Sequence, residues 1–292
     1  MNTQPSLVDR RQVRRSFAGV AATYDRHDFL AREIDRRMQE RLDYVRIAPR
    51  LIVDLGCARG GSLPGLQQRY PEAGVLGVDV VPEMLRAGKP AANWRDRLPF
   101  APKRPCRAAA DALRLPLSNE SCGLVWSNLL LHWLDDPLPA LAEAHRVLEV
   151  GGLLMFSALG PDTFKELRAA FADGSAHTQR FIDMHDLGDM LVGCGFADPV
   201  MDMETLTLTY PSFDALLAEL RAAGGRCAML SRRRGLAGKG FAQAVRAAYP
   251  VQARDGQLPV TIEVVYGHAW KAAPRVAPDG RAIVRFFDKK PD

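Results

Sequence analysis

Five cysteines in 292 residues, at positions 57, 106, 122, 194 and 227, are too few and too scattered for a disulfide framework. None belongs to a Cys-x-x-Cys pair or has a neighbouring histidine set, so no metal site is expected and a reducing compartment is. No apolar run approaches the roughly 18 residues that a membrane span needs. The first fifteen residues carry charge but no apolar segment, which excludes a secretory signal. A strong excess of one charge is missing too. The 39 basic and 34 acidic side chains leave a net +5, short of a nucleic-acid-binding signature. What remains is an ordinary cytoplasmic globular composition, long enough for one large domain or two small ones.

The chain is organised around Leu51-Ile-Val-Asp-Leu-Gly-Cys-Ala-Arg-Gly60, an apolar strand entering a glycine turn that opens a helix. Asp79 closes the next strand, Gly74–Asp79. A glycine turn after a first strand, with a carboxylate about 20 residues on, is one way to hold a nucleoside cofactor. Upstream, residues 10–44 read as one helix, with Ile34, Met38 and Leu42 on a single stripe. Downstream, helices over 61–70 and 82–86 alternate with a short third strand near the end of the proline-rich, basic stretch 88–107. A loop at 111–117, a strand over 122–128, a helix over 137–150 stopped by Gly151-Gly152, and a fifth strand over 153–158 follow. This alternation implies βαβ units and a mostly parallel sheet. Gly56, Asp79, Asp111 and Asn128 then share the carboxyl-end edge, where open α/β sheets bind ligands.

Beyond Gly160 the pattern changes. Helices are expected over 162–171 and 183–192, a strand over 203–210, two helices over 213–223 and 237–248, and a last strand over 259–270. The final two strands read as a hairpin interrupted by a helical insertion, about 211–257, that contains Arg226, Arg232, Arg233, Arg234 and Lys239. The tail has a Pro-Asp-Gly turn and strand character at 283–287.

The arrangement resembles the class I S-adenosylmethionine-dependent methyltransferases. The carrying residues are 53–60 as first motif, Asp79, the 111–116 loop, Trp126-Ser-Asn-Leu-Leu-Leu-His-Trp133 at strand four, and Leu148-Glu-Val-Gly-Gly152 before strand five. Ala58 departs from the pattern, standing where the middle glycine is usual. A sharper resemblance, to the malonyl-acyl-carrier-protein O-methyltransferases of biotin synthesis, rests on Phe17-Ala-Gly-Val-Ala-Ala-Thr-Tyr-Asp25 with His27, on Trp126-Ser-Asn-Leu, and on Leu258-Pro-Val-Thr261. The second half also resembles the methyltransferase-like assembly factor of respiratory complex I that hydroxylates an arginine, through residues 160–168, 186–191 and Tyr210-Pro.

The resemblance implies a Rossmann-like, seven-stranded, mostly parallel sheet with helices on both faces. An N-terminal cover (1–48), a methyltransferase domain (49–271) with a lid (about 211–257) and a tail (272–292) would make up the chain. It implies S-adenosylmethionine as cofactor: Asp54, Gly56 and Gly60 shaping the turn toward the methionine end, Asp79 on the ribose, Asp111 and Ala112 at the adenine, and Asn128 at the strand-four end. Tyr24 would face the sulfonium, with Arg226 or Arg232 pairing the substrate carboxylate. Tyr24, His27, His132 and Trp133 read equally as packing residues, and the arginines equally as an exposed basic loop. The partner implied is malonyl-acyl carrier protein, steered by the basic lid. Nucleic acid is not expected, because no Asn-Pro-Pro-aromatic or Pro-Cys motif follows strand four. An arginine-hydroxylating or assembly relative, or a cofactor-binding scaffold without chemistry, is the alternative.

Overall fold

The computed structural model describes residues 7–88, 103–171, 173–235, 238–251 and 256–273. Most of the basic stretch 88–107 and the tail with its Pro-Asp-Gly turn and 283–287 strand fall outside them.

Two helices, α1 (Arg10–Val20) and α2 (Phe29–Arg41), stand where one was expected, separated by a 3-10 turn at Tyr24–Arg26. The apolar stripe explains the break. Ile34, Met38 and Leu42 are fully buried against the sheet, whereas Phe17 and Tyr24 pack upstream with Ala21, Val81 and Met84. Asp9 caps α1, its carboxylate accepting from Gln12 N at 3.0 Å.

The expected alternation then follows: β1 (Leu51–Leu55), α3 (Leu63–Arg69), β2 (Gly74–Asp79), α4 (Pro82–Ala87), β3 (Cys106–Ala109), β4 (Cys122–Ser127), α5 (Leu138–Val147) and β5 (Leu148–Leu159). The second half adds α6 (Lys165–Ala170), α7 (Met184–Gly193), β6 (Ala197–Tyr210), α8 (Phe213–Ala222), α9 (Lys239–Ala248) and β7 (Leu258–Trp270). One seven-stranded sheet results, in the order β3-β2-β1-β4-β5-β7-β6. Strands β1 to β5 run parallel, and β7 lies antiparallel between β5 and β6. The interrupted hairpin is thus realised. Strands β6 and β7 pair from Ala197↔Trp270 to Tyr210↔Leu258, with α8 and α9 between them in the chain.

Two boundaries move. Helix α5 ends at Val147 rather than at the glycine pair, because fully buried Leu148 is extended and pairs with Cys122. Gly151, at φ +82°, bends the start of β5 instead of stopping a helix. Strand β6 begins at Ala197, six residues before the expected start at Met203, and its register shifts between Ala197 and Val200.

Period-two alternation builds a core on each face. Ile52, Leu124, Trp126, Leu153 and Met155 point to the side of α2, α3, α6, α8 and α9. Val53, Val125, Leu154 and Phe156 point to the side of α5 and α7. Strand β1 pairs with both β2 and β4, so the winding reverses there and opens a crevice beyond their carboxyl ends.

Candidate functional site

Four backbone N–H groups of the turn after β1 are already spoken for. Gly56 N and Cys57 N both donate to Val78 O, at 2.8 and 3.1 Å, Ala58 N donates to an Asp79 carboxylate oxygen at 2.8 Å, and Gly60 N donates to Cys57 O at 2.6 Å. The turn therefore directs these N–H groups inward. Gly56 is required for another reason. It has φ +72°, and a Cβ there would sit 2.9 Å from the Leu130 side chain. Ala58 adopts φ +47° with a side chain, a conformation that costs about 1–2 kcal/mol. Gly60, at φ +84°, makes room for Leu63 and the Arg107 guanidinium rather than for the cavity.

The crevice is a deep cavity lined by Gly56, Ala58, Asp79, Asp111, Ala112 and Asn128 from the strand ends, together with Tyr24 from the cover. A smaller recess shares Tyr24, Asp28, Gly56 and Ala58 with it and reaches Asp35 and Asp54. Carboxylates gather where the cavity meets the recess, at Asp28, Asp79, Asp35 and Asp54. Asp79 is fixed by Ala58 N and by Val81 N at 2.8 Å, one bond to each oxygen, leaving lone pairs on both. Burial pushes its carboxyl above the usual range, and backbone N–H bonds oppose the shift. Asp54 is 1% exposed, and its Oδ2 has no hydrogen-bond partner. Burial, then the charges of Asp35 and Asp79, push it well up. Asp35 is also raised by burial, against bonds from Ser62, Gln39 and Trp126. Tyr24 is raised by burial first and then by Asp28, Asp79 and Asp25, so its phenol stands in a field of negative charge.

Such a site suits a ligand that brings hydrogen-bond donors and positive charge. It is unsuited to a pyrophosphate, which needs outward N–H groups.

Asp111 lies at the far end. One carboxylate oxygen accepts from Leu113 N at 3.1 Å, the turn-capping role, and the other pairs with Arg10 of α1. Asn128 lines the cavity, but its amide is employed in the wall, donating to Ala31 O at 2.8 Å and accepting from Ser157 Oγ at 2.7 Å. Ser157 also receives Leu129 N at 3.0 Å, which holds Leu129 at φ +57° and sets the direction of the turn through Trp133.

The cover and the insertion are joined into a roof. Val8 bridges Met229, Asp9 N donates to Ala228 O at 2.7 Å, His27 Nδ1 lies 3.0 Å from a Glu219 carboxylate oxygen, and Gly224 abuts Phe17. Arg232 belongs to this seam, bonded to Asp9 and to Met229 O at 2.8 Å each. Arg226 is exposed, and its carbonyl accepts from Gln179 Nε2 at 3.2 Å. Neither arginine lines the cavity; its neighbour Gly225 does. More of the wall comes from residues that no motif marked, His177, Thr178, Gln179 and Phe181, which join Phe164, His132 and Trp133.

The reversed sheet with its antiparallel last strand, and a crevice at the switch point with Asp79 at the end of β2, define a class I methyltransferase. Comparison with known proteins agrees. The family model described as "Methyltransferase domain" matches residues 53–156. In structure, the chain superposes on YcgJ of Bacillus subtilis (TM-score 0.56, 13% identity, 82% of this chain and 99% of that one). A methyltransferase-like protein of Bacillus halodurans C-125 gives the same score at 14% identity and the same coverage. At those identities the likeness concerns the fold. In sequence, the chain is 48% identical to the malonyl-[acyl-carrier protein] O-methyltransferase of Laribacter hongkongensis, over 99% of both chains. It is 46% identical to that of Methylovorus sp. over 98% of this chain and 97% of the relative. The chain belongs to the malonyl-[acyl-carrier protein] O-methyltransferase family.

Among the described residues, no helix is long and apolar enough to cross a membrane and no metal-binding cluster is present.

Proposed function

We propose that this protein methylates the free carboxylate of a malonyl thioester carried on acyl carrier protein, with S-adenosylmethionine as methyl donor. The observation that carries the cofactor assignment is Asp79, a carboxylate held by Ala58 N and Val81 N at the end of β2, in a crevice that it shares with Tyr24 and that adjoins a recess reaching Asp54. S-Adenosylmethionine presents a sulfonium, an ammonium, ribose hydroxyls and an adenine amino group, and each of these matches an acceptor or a negative field. In this reading Asp79 takes the ribose hydroxyls, Asp54 faces the ammonium side through the recess, and Asp111 and Ala112 lie at the adenine. Tyr24 sets an electron-rich ring near the sulfonium, an interaction worth about 0.5–2 kcal/mol. Gly56 and Gly60 shape the turn, and Asn128 fixes the wall opposite.

The cofactor supplies an activated methyl group. The acceptor needs no base, since a carboxyl of ordinary pKa near 4 is ionised at neutral pH. The chain's contribution is placement and the removal of water. The roof of α1, the Tyr24 turn and the insertion closes over the crevice as a lid. The exposed basic residues Arg226 and Arg234 at its outer side suit the acidic surface of a carrier protein.

Genetic rescue tests the reading. Expression in a biotin-requiring strain that lacks its own malonyl methyltransferase should restore growth without biotin. Failure of a well-expressed wild-type protein to do so would count against it.

A further inference from the structure

The reaction requires something to hold the acceptor carboxylate, and an anion is ordinarily met by a cation. Among the described residues lining the cavity, the basic side chains are Arg10, Arg14, His27, His132 and His177. Four are engaged or misplaced. Arg10 pairs with Asp111, His27 with Glu219 at 3.0 Å, and His177 with Asp173 at 2.7 Å while stacked on Phe171. Arg14 is exposed and also lines a neighbouring groove with Val80, Glu83 and Asp111, at the nucleoside end of the crevice. Gln179 is 8% exposed with an unpartnered Oε1, and its amide nitrogen spends one of its two N–H groups on Arg226 O, so its free acceptor would repel a carboxylate placed beside the N–H that remains.

His132 is different. It is 6% exposed, walled by Trp133 and Phe181 with ring centroids 5.2 and 5.9 Å away, and its Nδ1 is buried without a partner. Burial of Nδ1 leaves Nε2 as the ring nitrogen through which it can meet a ligand. Its place in the chain is equally specific. His132 lies on the 3-10 turn Leu131–Trp133, two residues after Leu130, whose side chain packs on Gly56 of the cofactor turn. Asn128 and Ser157 clamp the start of that turn to β5.

We propose that His132 is the catalytic residue that positions the acceptor, its Nε2–H donating to one carboxylate oxygen while the other oxygen faces the methyl donor. The inference rests on the carboxyl-methylation reading and replaces the lid arginines in this role. Burial also holds the imidazole neutral in the free protein, its pKa pushed down to about 3. A neutral donor has an advantage over a guanidinium. A bidentate ion pair engages both carboxylate oxygens and draws charge from the nucleophile. One N–H orients a single oxygen within an apolar wall and leaves the other desolvated and reactive. After transfer the ester is uncharged, the bond weakens to that of a neutral pair, and product departs.

Three forms decide the matter: wild type, His132→Gln, whose amide nitrogen can occupy the Nε2 position, and His132→Leu, which keeps bulk without a donor. Steady-state kinetics with malonyl-carrier protein should show about a tenfold or greater loss of kcat/KM for His132→Leu, the size expected for one bond to a charged group. His132→Gln should stay within about threefold of wild type on the same scale. Calorimetric affinity for S-adenosylmethionine should be unchanged in both. The decisive readout is binding preference in the presence of S-adenosylhomocysteine. Wild type and His132→Gln should prefer malonyl over acetyl thioester, and His132→Leu should bind the two alike. A leucine variant with unchanged kcat/KM, or with equal weakening toward both thioesters, overturns the proposal. Absence of ester formation by wild type would instead refute the functional reading.

Discussion

At the scale of single residues, two groups carry the testable chemistry. Asp79 presents a carboxylate pinned by two backbone N–H groups, so its orientation is set before any ligand arrives. Replacing it by asparagine removes a charged acceptor worth about 1.5–3 kcal/mol, and S-adenosylmethionine affinity measured by calorimetry should fall by about ten- to a hundredfold. An unchanged affinity would detach Asp79 from the ribose role. His132 makes a prediction about pH. Its folded pKa is about 3 against 6.5 in the unfolded chain. Above pH 6.5 neither state is protonated and the stabilising difference is whole. As pH falls through the window from 6.5 to about 3, the unfolded chain takes up a proton that the folded one refuses, and stability is lost at up to about 1.4 kcal/mol per pH unit. His132→Gln should flatten that part of the urea-denaturation pH profile. The Asp79 carboxylate was legible in the sequence because its place at the end of a strand is a motif. The consumption of the Gly56 and Ala58 N–H groups was not, since it depends on where the β2 end lies beside the turn.

Between elements, the joints are few and specific. Helix α2 is tied to β4 by Trp126 Nε1, which donates to buried Asp35 at 3.1 Å. Trp126→Phe would leave that carboxylate short of a donor and should cost about 1–3 kcal/mol in chemical denaturation, beyond the loss from packing alone. The roof depends on Gly224, which combines φ +77° with an approach in which a Cβ would lie 2.9 Å from the Phe17 ring. Gly224→Ala should loosen the contact between α1 and the insertion. A rise in the S-adenosylmethionine dissociation rate measured by stopped flow would show that the roof retains the cofactor, and an unchanged rate would show that it does not. Strands were the legible elements: β1, β2 and β4 are short, mostly apolar runs that close at Gly56, Asp79 and Asn128. The division of the cover into α1 and α2 was less so. No proline marks residues 21–28, Asp28 at the N-cap of α2 makes no side-chain cap bond, and the break follows from packing Phe17 and Tyr24 over the crevice. The wall residues His177, Thr178 and Gln179 sit in irregular chain between α6 and α7, where no periodicity announces a role.

For the whole molecule, a crevice at the sheet's switch point lies under a roof woven from two distant segments, with Arg226 and Arg234 exposed on the insertion. If these arginines guide an acidic carrier protein, raising ionic strength should lower kcat/KM for the carrier-bound substrate and barely affect a small malonyl thioester, because screening acts on the long-range field. Equal salt dependence for the two would remove these arginines from the mechanism. The central claim is carboxyl methylation, and the most direct measurement is mass spectrometry of malonyl-acyl carrier protein incubated with the purified protein and S-adenosylmethionine. The account predicts a gain of one CH2 on the malonyl group, reversed by mild ester hydrolysis and absent when acetyl-carrier protein is supplied. A carrier protein of unchanged mass, in the presence of a protein that demonstrably binds S-adenosylmethionine, would contradict it.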